Sequence, residues 1–274
     1  MNINRFSKNI NLLIGTLIIG GFFVLMCISI FYTPHDVTAM NVPNKLLGPN
    51  GEHWFGTDEF GRDIFSRIMK GTQTAFSVGL LTVLIGVTFG VLIGGTAGYF
   101  GGWIDEIFMR VLDALMAFPG IILALMLVAI FGPGILNTAI ALGIIAIPNI
   151  ARIVRSGFVQ HRDSEYILAA KLIGVKTYSI MFRHILPNIS SQIVVAATVT
   201  FATAMLAEAA LSYLGLGVQP PNPSWGRMLK DSQSYLVNAP WYTYAPGAAI
   251  TLMVLGLYML SNALRDFLDP RSKA

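Results

Sequence analysis

Charge is scarce in this sequence: 12% of its 274 residues are Asp, Glu, Lys or Arg, against about a quarter in an ordinary soluble domain. With 54% apolar residues, a soluble chain could not cover itself with polar surface, so a soluble globular fold is excluded. Cysteine is nearly absent. Cys27 stands alone in an apolar run and can form no internal disulfide. No Gly-x-x-x-x-Gly-Lys-Ser/Thr run exists, so there is no phosphate-cradling loop, and neither His-Glu-x-x-His nor Gly-x-Ser-x-Gly occurs. The four histidines, His35, His53, His161 and His184, are scattered. The topology derived below puts two on each side of a membrane, so they are expected to be isolated polar loop residues. The chain is therefore expected to have no catalytic residues, no metal ligands and no cofactor of its own. Its net charge of +4 lies between apolar runs, which suits membrane orientation rather than nucleic acid.

The apolar residues gather in charge-free windows. A helix crossing the hydrocarbon core needs about 20 of them. Lys8 to Asp36 brackets the first window and Lys70 to Asp105 the second. Asp113 to Arg152 leaves 38 uncharged residues, divided by Gly132-Pro133-Gly134 into two short spans. Arg183 to Arg227 holds one charge, Glu208, and Asp231 to Arg265 brackets the last window. An all-α membrane protein with about six spans follows: 12–32, 75–98, 114–131, 136–154, 190–214 and 244–264. The third is short and is expected to extend back through an amphipathic approach at 103–113. The basic start and apolar continuation resemble a signal peptide, but the 21-residue run from Leu12 to Tyr32 is long for one and no Ala-x-Ala follows. It reads as a retained first helix.

Six spans put both ends of the permease body, 12–264, on one side. Twelve Lys and Arg fall on that side: Arg5, Lys8, Arg110, Arg152, Arg155, Arg162, Lys171, Lys176, Arg183, Arg265, Arg271 and Lys273. Six fall opposite: Lys45, Arg62, Arg67, Lys70, Arg227 and Lys230. The excess places the terminal segments 1–11 and 265–274, and the long loop 155–189, in the cytoplasm. Segments 33–74 and 215–243 then lie outside.

Within the inner loop, Asp163 or Ser164 can cap a short helix beginning at Glu165. Glu165 suits its positive end, Lys171 its negative end, and Gly174 the left-handed position that closes it. A second helix is expected from Thr177 towards Ile185, stopped by Pro187. Ala169 and Ala170 give the short helix a small-residue centre able to enter a cleft on another protein. A helix lying on the bilayer fits the pattern equally well.

Glu165 to Pro187 resembles the EAA loop of binding-protein-dependent ABC importer permeases. That motif reads Glu-Ala-Ala, three residues, Gly, nine residues, Ile-x-Leu-Pro. Here Leu168-Ala169-Ala170 precedes Gly174, and His184-Ile185-Leu186-Pro187 follows. Leu168 replaces the glutamate and His184 an isoleucine, while Glu165, one turn earlier, resembles the acid of peptide-type members. Gly56-Thr57-Asp58-Glu59-Phe60-Gly61-Arg62-Asp63 with Ser66-Arg67, the run Asp113 to Pro119, and Glu208 to Gly217 continuing through Pro220-Pro221 to Gly226 resemble the dipeptide, oligopeptide and nickel permeases. Within that group the chain resembles the "C" subunit. The resemblance implies a type I ABC importer transmembrane domain in a prokaryotic cell membrane. It implies a second permease subunit, one or two cytoplasmic ATPase subunits that use ATP and Mg, and an extracytoplasmic solute-binding protein. ATPase coupling would fall to Glu165, Leu168, Ala169, Ala170, Gly174 and Pro187. Peptides, nickel and metal chelates are the solute classes it implies.

Two further features stand out. Ile64, Phe65, Ile68 and Met69 share one face of a helix from Gly61 to Lys70, with Arg62, Asp63, Ser66, Arg67 and Lys70 on the other. This reads as an interfacial helix, with Asp63 and Arg67 paired at four residues' spacing. Asp58, Arg62, Asp63 and Arg67 would make it a lid or a docking element for a delivery protein, or it is an anchor for the next span. Glu208 is the only acid deep within an expected span, which suggests a place on the pathway or the subunit interface, or a hydrated or protonated place near the outer end of its helix. A gradient-driven transporter is the first rival reading, but internal repeats are not visible. A membrane enzyme is the second, but no convergent catalytic set is present.

Overall fold

The computed structural model describes residues 10–268. Arg5, Lys8, Arg271 and Lys273, and most of both expected terminal segments, lie outside the described residues. The first helix, α1, is Ile10–Phe31. A loop containing a 3₁₀ turn at Val42–Asn44 leads to α2, Ile64–Phe100. Two shorter helices follow, α3 at Gly102–Met116 and α4 at Gly120–Phe131. Next come α5, Ile135–His161, and the short α6, Glu165–Leu172. The continuous helix α7 spans Thr177–Tyr213. A loop helix α8, Trp225–Ser232, precedes α9, Pro240–Leu268. Five of these, α1, α2, α5, α7 and α9, are long and apolar enough to cross a membrane, and α3 with α4 makes a sixth if the bent pair is one span.

Three helices differ instructively from expectation. The residues expected to lie flat before the second span are instead its first turns, because α2 runs 37 residues without a break. Its apolar face is covered by protein: Ile64 and Ile68 pack in one core with Met205, Trp225, Met228, Tyr242 and Met253. Gly71 makes room there for Trp225, since a Cβ at that position would stand 2.8 Å from its ring. The third span is bent by 89° between α3 and α4. Pro119 sits at the N-cap of α4 and disfavours a helical residue before it. Twelve residues rise only about 18 Å, so α4 alone falls short of a bilayer core of about 30 Å. Finally, Pro187 does not stop a helix. Residues Ile180–Ile185 widen into a π turn, and the Leu186 N–H reaches back to the Met181 carbonyl. That extra residue per turn absorbs the missing donor and the ring clash that proline brings to an α-helix.

The spine of the bundle is the α2–α5 pair. Gly86, Gly90, Gly94 and Gly98 recur every four residues along α2. A Cβ on Gly90 would lie 2.7 Å from Ile150 Cγ2, one on Gly98 would lie 2.7 Å from the Arg155 carbonyl oxygen, and one on Gly94 would collide with the Ala151 backbone. Small residues at such spacing let two backbones approach where no hydrophobic force separates helix from lipid. Because α2 runs the full height, its Ile64 and Phe100 ends define two ends of the bundle. Loops 33–63 and 215–239 gather at the Ile64 end, where the Thr74 hydroxyl donates to the Pro223 carbonyl and the Trp225 indole donates to the Ile68 carbonyl. At the Phe100 end α6 packs Ile167 into a core with Phe158 of α5 and Ile180, Ile185 and Ile189 of α7, and Arg162 donates to the Gly98 carbonyl.

Candidate functional site

At the Phe100 end, α6 is the element that a partner could grip. Ser164 occupies its N-cap in an extended conformation (φ −70°, ψ 151°) without a side-chain cap. Its hydroxyl donates backwards to the His161 carbonyl at 2.5 Å. The C-terminus is closed tightly. Gly174 has φ +77°, its N–H donates to the Lys171 carbonyl, and the Val175 N–H donates to the Ala170 carbonyl. This is the paired closure that a left-handed glycine permits. Lys171 is anchored in turn: Nζ donates to the Arg162 carbonyl at 3.2 Å and stands 5.6 Å over the Tyr99 ring.

These bonds fix which face of α6 looks outward. Ile167 is fully buried and Ala170 is 8% exposed. Ala169 and Glu165 are exposed, as are Leu168, Leu172 at 88% and Ile173 at 82%. The two alanines therefore part company. Ala170 is small because it faces the chain's own body, and the surface offered to a partner is Glu165, Leu168, Ala169, Leu172 and Ile173. Sequence reasoning passed over Leu172 and Ile173. Their signal was two adjacent large apolar residues just ahead of the closing glycine, at the end of a helix too short to bury both sides. Pro187, also exposed, lies beyond the π turn at the base of α7 and not on this face.

A second constellation occupies the Ile64 end. Asp58 is fully buried. It accepts the backbone N–H groups of Phe60 and Arg62, each at 2.9 Å, and the Arg62 Nε at 2.6 Å. Arg67 Nε stands 3.5 Å from the same carboxylate, and Arg67 Nη1 donates to the Val37 carbonyl at 3.1 Å. Asp63 caps α2 by accepting the Ser66 N–H at 2.8 Å. Its other oxygen lies 3.0 Å from His53 Nδ1. The expected Asp63–Arg67 pair is thus replaced by Asp58–Arg62–Arg67 and His53–Asp63, and Arg67 is buried rather than on an exposed polar face. Gly61, at φ +73°, is required here, since a side chain would run into the Asn41 backbone. These residues staple the 33–63 loop to the head of α2. The histidines also depart from expectation, because His35 and His53 meet in this loop with ring centroids 4.7 Å apart.

Glu208 is buried in α7. One carboxylate oxygen accepts the Ser212 hydroxyl at 2.7 Å and the Ser224 hydroxyl at 2.8 Å. The Ser212 oxygen in turn accepts the Val218 N–H at 3.0 Å. Ser224 is the N-cap of α8. Through one of its two carboxylate oxygens, the acid expected on a pathway or a subunit interface joins the chain's own 215–232 loop to α7.

Residues 62–274 match the family described as the binding-protein-dependent transport system inner membrane component. The chain is 44% identical over 270 residues to the dipeptide transport system permease protein DppC of Alkalihalophilus pseudofirmus, covering 98% of this chain and 89% of that protein. It is 42% identical over 261 residues to the glutathione transport system permease protein GsiD of Pectobacterium atrosepticum, covering 93% and 87%. It is 41% identical over 254 residues to the protein of the same name from Escherichia coli, covering 91% and 84%.

Proposed function

Because this chain belongs to the family of binding-protein-dependent transport system inner membrane components, we propose that it forms half of a transmembrane pathway and couples that pathway to ATP hydrolysis through α6. The observation that carries the coupling role is the outward face of α6. Leu168, Leu172 and Ile173 are exposed on a helix that is tied to the end of α5 through Ser164 and Lys171 and that buries Ile167. Three exposed apolar side chains on a short helix projecting from the bundle suit a partner surface, and such a helix can pass a partner's movement to α5 and α7.

The other half of the pathway is a second permease subunit. One or two cytoplasmic ATPase subunits seat on α6 and hydrolyse Mg-ATP, and an extracytoplasmic solute-binding protein delivers the solute at the Ile64 end. Both termini face the cytoplasm, the orientation that the excess of Lys and Arg on that side favours. The relatives named for dipeptide and glutathione transport favour short peptides as the solute, ahead of nickel or metal chelates.

The double substitution Leu172→Asp with Ile173→Asp tests this reading. The complex is expected to assemble in the membrane, because neither side chain is buried in the bundle, and to lose co-purifying ATPase and solute uptake. Wild-type uptake at wild-type membrane levels would refute the coupling role.

A further inference from the structure

Three metal-binding side chains converge where the 33–63 loop meets the head of α2. His35 and His53 face one another, His53 Nδ1 lies 3.0 Å from Asp63 Oδ1, and one donor atom from each of the three residues lies within 4.8 Å of the other two. His53 and Asp63 are buried, and His35 is half-buried. Each is held from behind. The second Asp63 oxygen accepts the Ser66 N–H, the His35 N–H donates to the Ser66 hydroxyl at 3.0 Å, and the His53 N–H donates to Asn50 Oδ1 at 2.8 Å. His35 Nε2 lies 3.0 Å from the Glu52 carbonyl oxygen. An Nε2–H donated there leaves the Nδ1 lone pair free for a metal, the outer-shell arrangement that metal-bound histidines use.

A buried His53–Asp63 hydrogen bond would by itself join the loop to the helix. It would not call for a second imidazole beside it, with its backbone tied to the same serine. Donors around a tetrahedral first-row ion stand about 3.4 Å apart at bond lengths of ~2.1 Å; the His53 and Asp63 donors stand 3.0 Å apart, and the three donors, within 4.8 Å of one another, would close on an ion by a small inward shift. We propose that His35, His53 and Asp63 form a site for a borderline divalent ion, Zn²⁺ or Ni²⁺, that clamps the 33–63 loop to α2. Two imidazoles and one carboxylate suit these ions and disfavour Mg²⁺ and Ca²⁺, which take oxygen donors. The half-exposed side of His35 gives the ion a way in and leaves a position for water. The single carboxylate offsets one of its two charges.

The test uses the assembled importer, purified with a histidine-free affinity tag and stripped with a chelator. Zn²⁺ alone and Ni²⁺ alone are titrated by calorimetry, with thermal unfolding followed in parallel. Wild type should bind one saturating equivalent attributable to this chain and unfold at a higher temperature when loaded. His35→Gln spares the His53–Asp63 bond, so the complex should assemble, lose the metal-dependent thermal shift and bind more weakly by at least the ~10- to 100-fold that loss of an outer-shell partner alone brings. Asp63→Asn keeps the helix cap and should weaken binding in the same way. The pair His161→Gln with His184→Gln should bind as wild type. Wild-type and His35→Gln complexes that titrate alike, or ions held only by other subunits, would overturn the site and leave His53–Asp63 as a structural hydrogen bond.

Discussion

Glu208 condenses the problem of a lone acid in an apolar helix. Its carboxylate accepts two serine hydroxyls, one from the next turn of α7 and one from the cap of α8. Glu208→Gln retains an acceptor oxygen at the same place and is expected to stay close to wild type in thermal unfolding. Glu208→Leu strands two buried hydroxyls, at about 1–3 kcal/mol, and should lower the unfolding temperature of the detergent-solubilised complex. Equal unfolding temperatures for the two variants would mean that these hydrogen bonds do not hold the 215–232 loop. Gly174 is the other residue whose chemistry is dictated by one contact set. Valine at φ +77° is strained by about 1–3 kcal/mol and would undo the bonds to Lys171 and Ala170. Gly174→Val should leave the membrane complex assembled and reduce uptake, measured against the amount of complex recovered.

At the level of elements, the long apolar windows fall on α1, α2, α5, α7 and α9, but α2 and α7 begin about three turns before their windows and α5 runs about two turns beyond its own. The windows are dictated by lipid and need no tertiary context. α6 was also legible, because Glu165, Lys171 and Gly174 carry its start and stop signals locally. The errors came where protein, not lipid, decided the outcome. The apolar face of Ile64 and Ile68 has the pattern of a helix lying flat on a membrane, and only the arrival of α8 and α9 turns it into core. Ala170 and Ala169 are alike in sequence and opposite in exposure, a distinction set by how α6 rests on the bundle. The Asp63–Arg67 spacing predicted a pair, but Asp58, brought in by the turn at Gly61, takes the arginine. The α2 glycine row supplies a test of the spine. Gly90→Leu would drive a side chain into Ile150, where even a Cβ is crowded, whereas Gly20→Leu stands on α1 where a Cβ meets nothing within 4 Å. The first should cost about 1–3 kcal/mol or more by overpacking and reduce the amount of folded chain in the membrane. The second should be recovered at wild-type levels.

For the molecule as a whole, function depends on which end of the bundle faces which compartment. Asn50 and Asn222 are exposed at the Ile64 end and Lys176 at the Phe100 end. Single cysteines at these positions, made in a Cys27→Ser background, should react with an impermeant thiol reagent in intact cells at 50 and 222 and not at 176. The reverse pattern would put α6 outside, beyond reach of any ATPase. The most direct test of coupling through α6 is site-specific photocrosslinking in the assembled importer, with the reactive group placed in turn at Ile173 and at Ala170. The outward face predicts a crosslink to the ATPase subunit from position 173 and none from the buried position 170. A crosslink from 170 alone, or from neither position in a complex that still imports its solute, would contradict it.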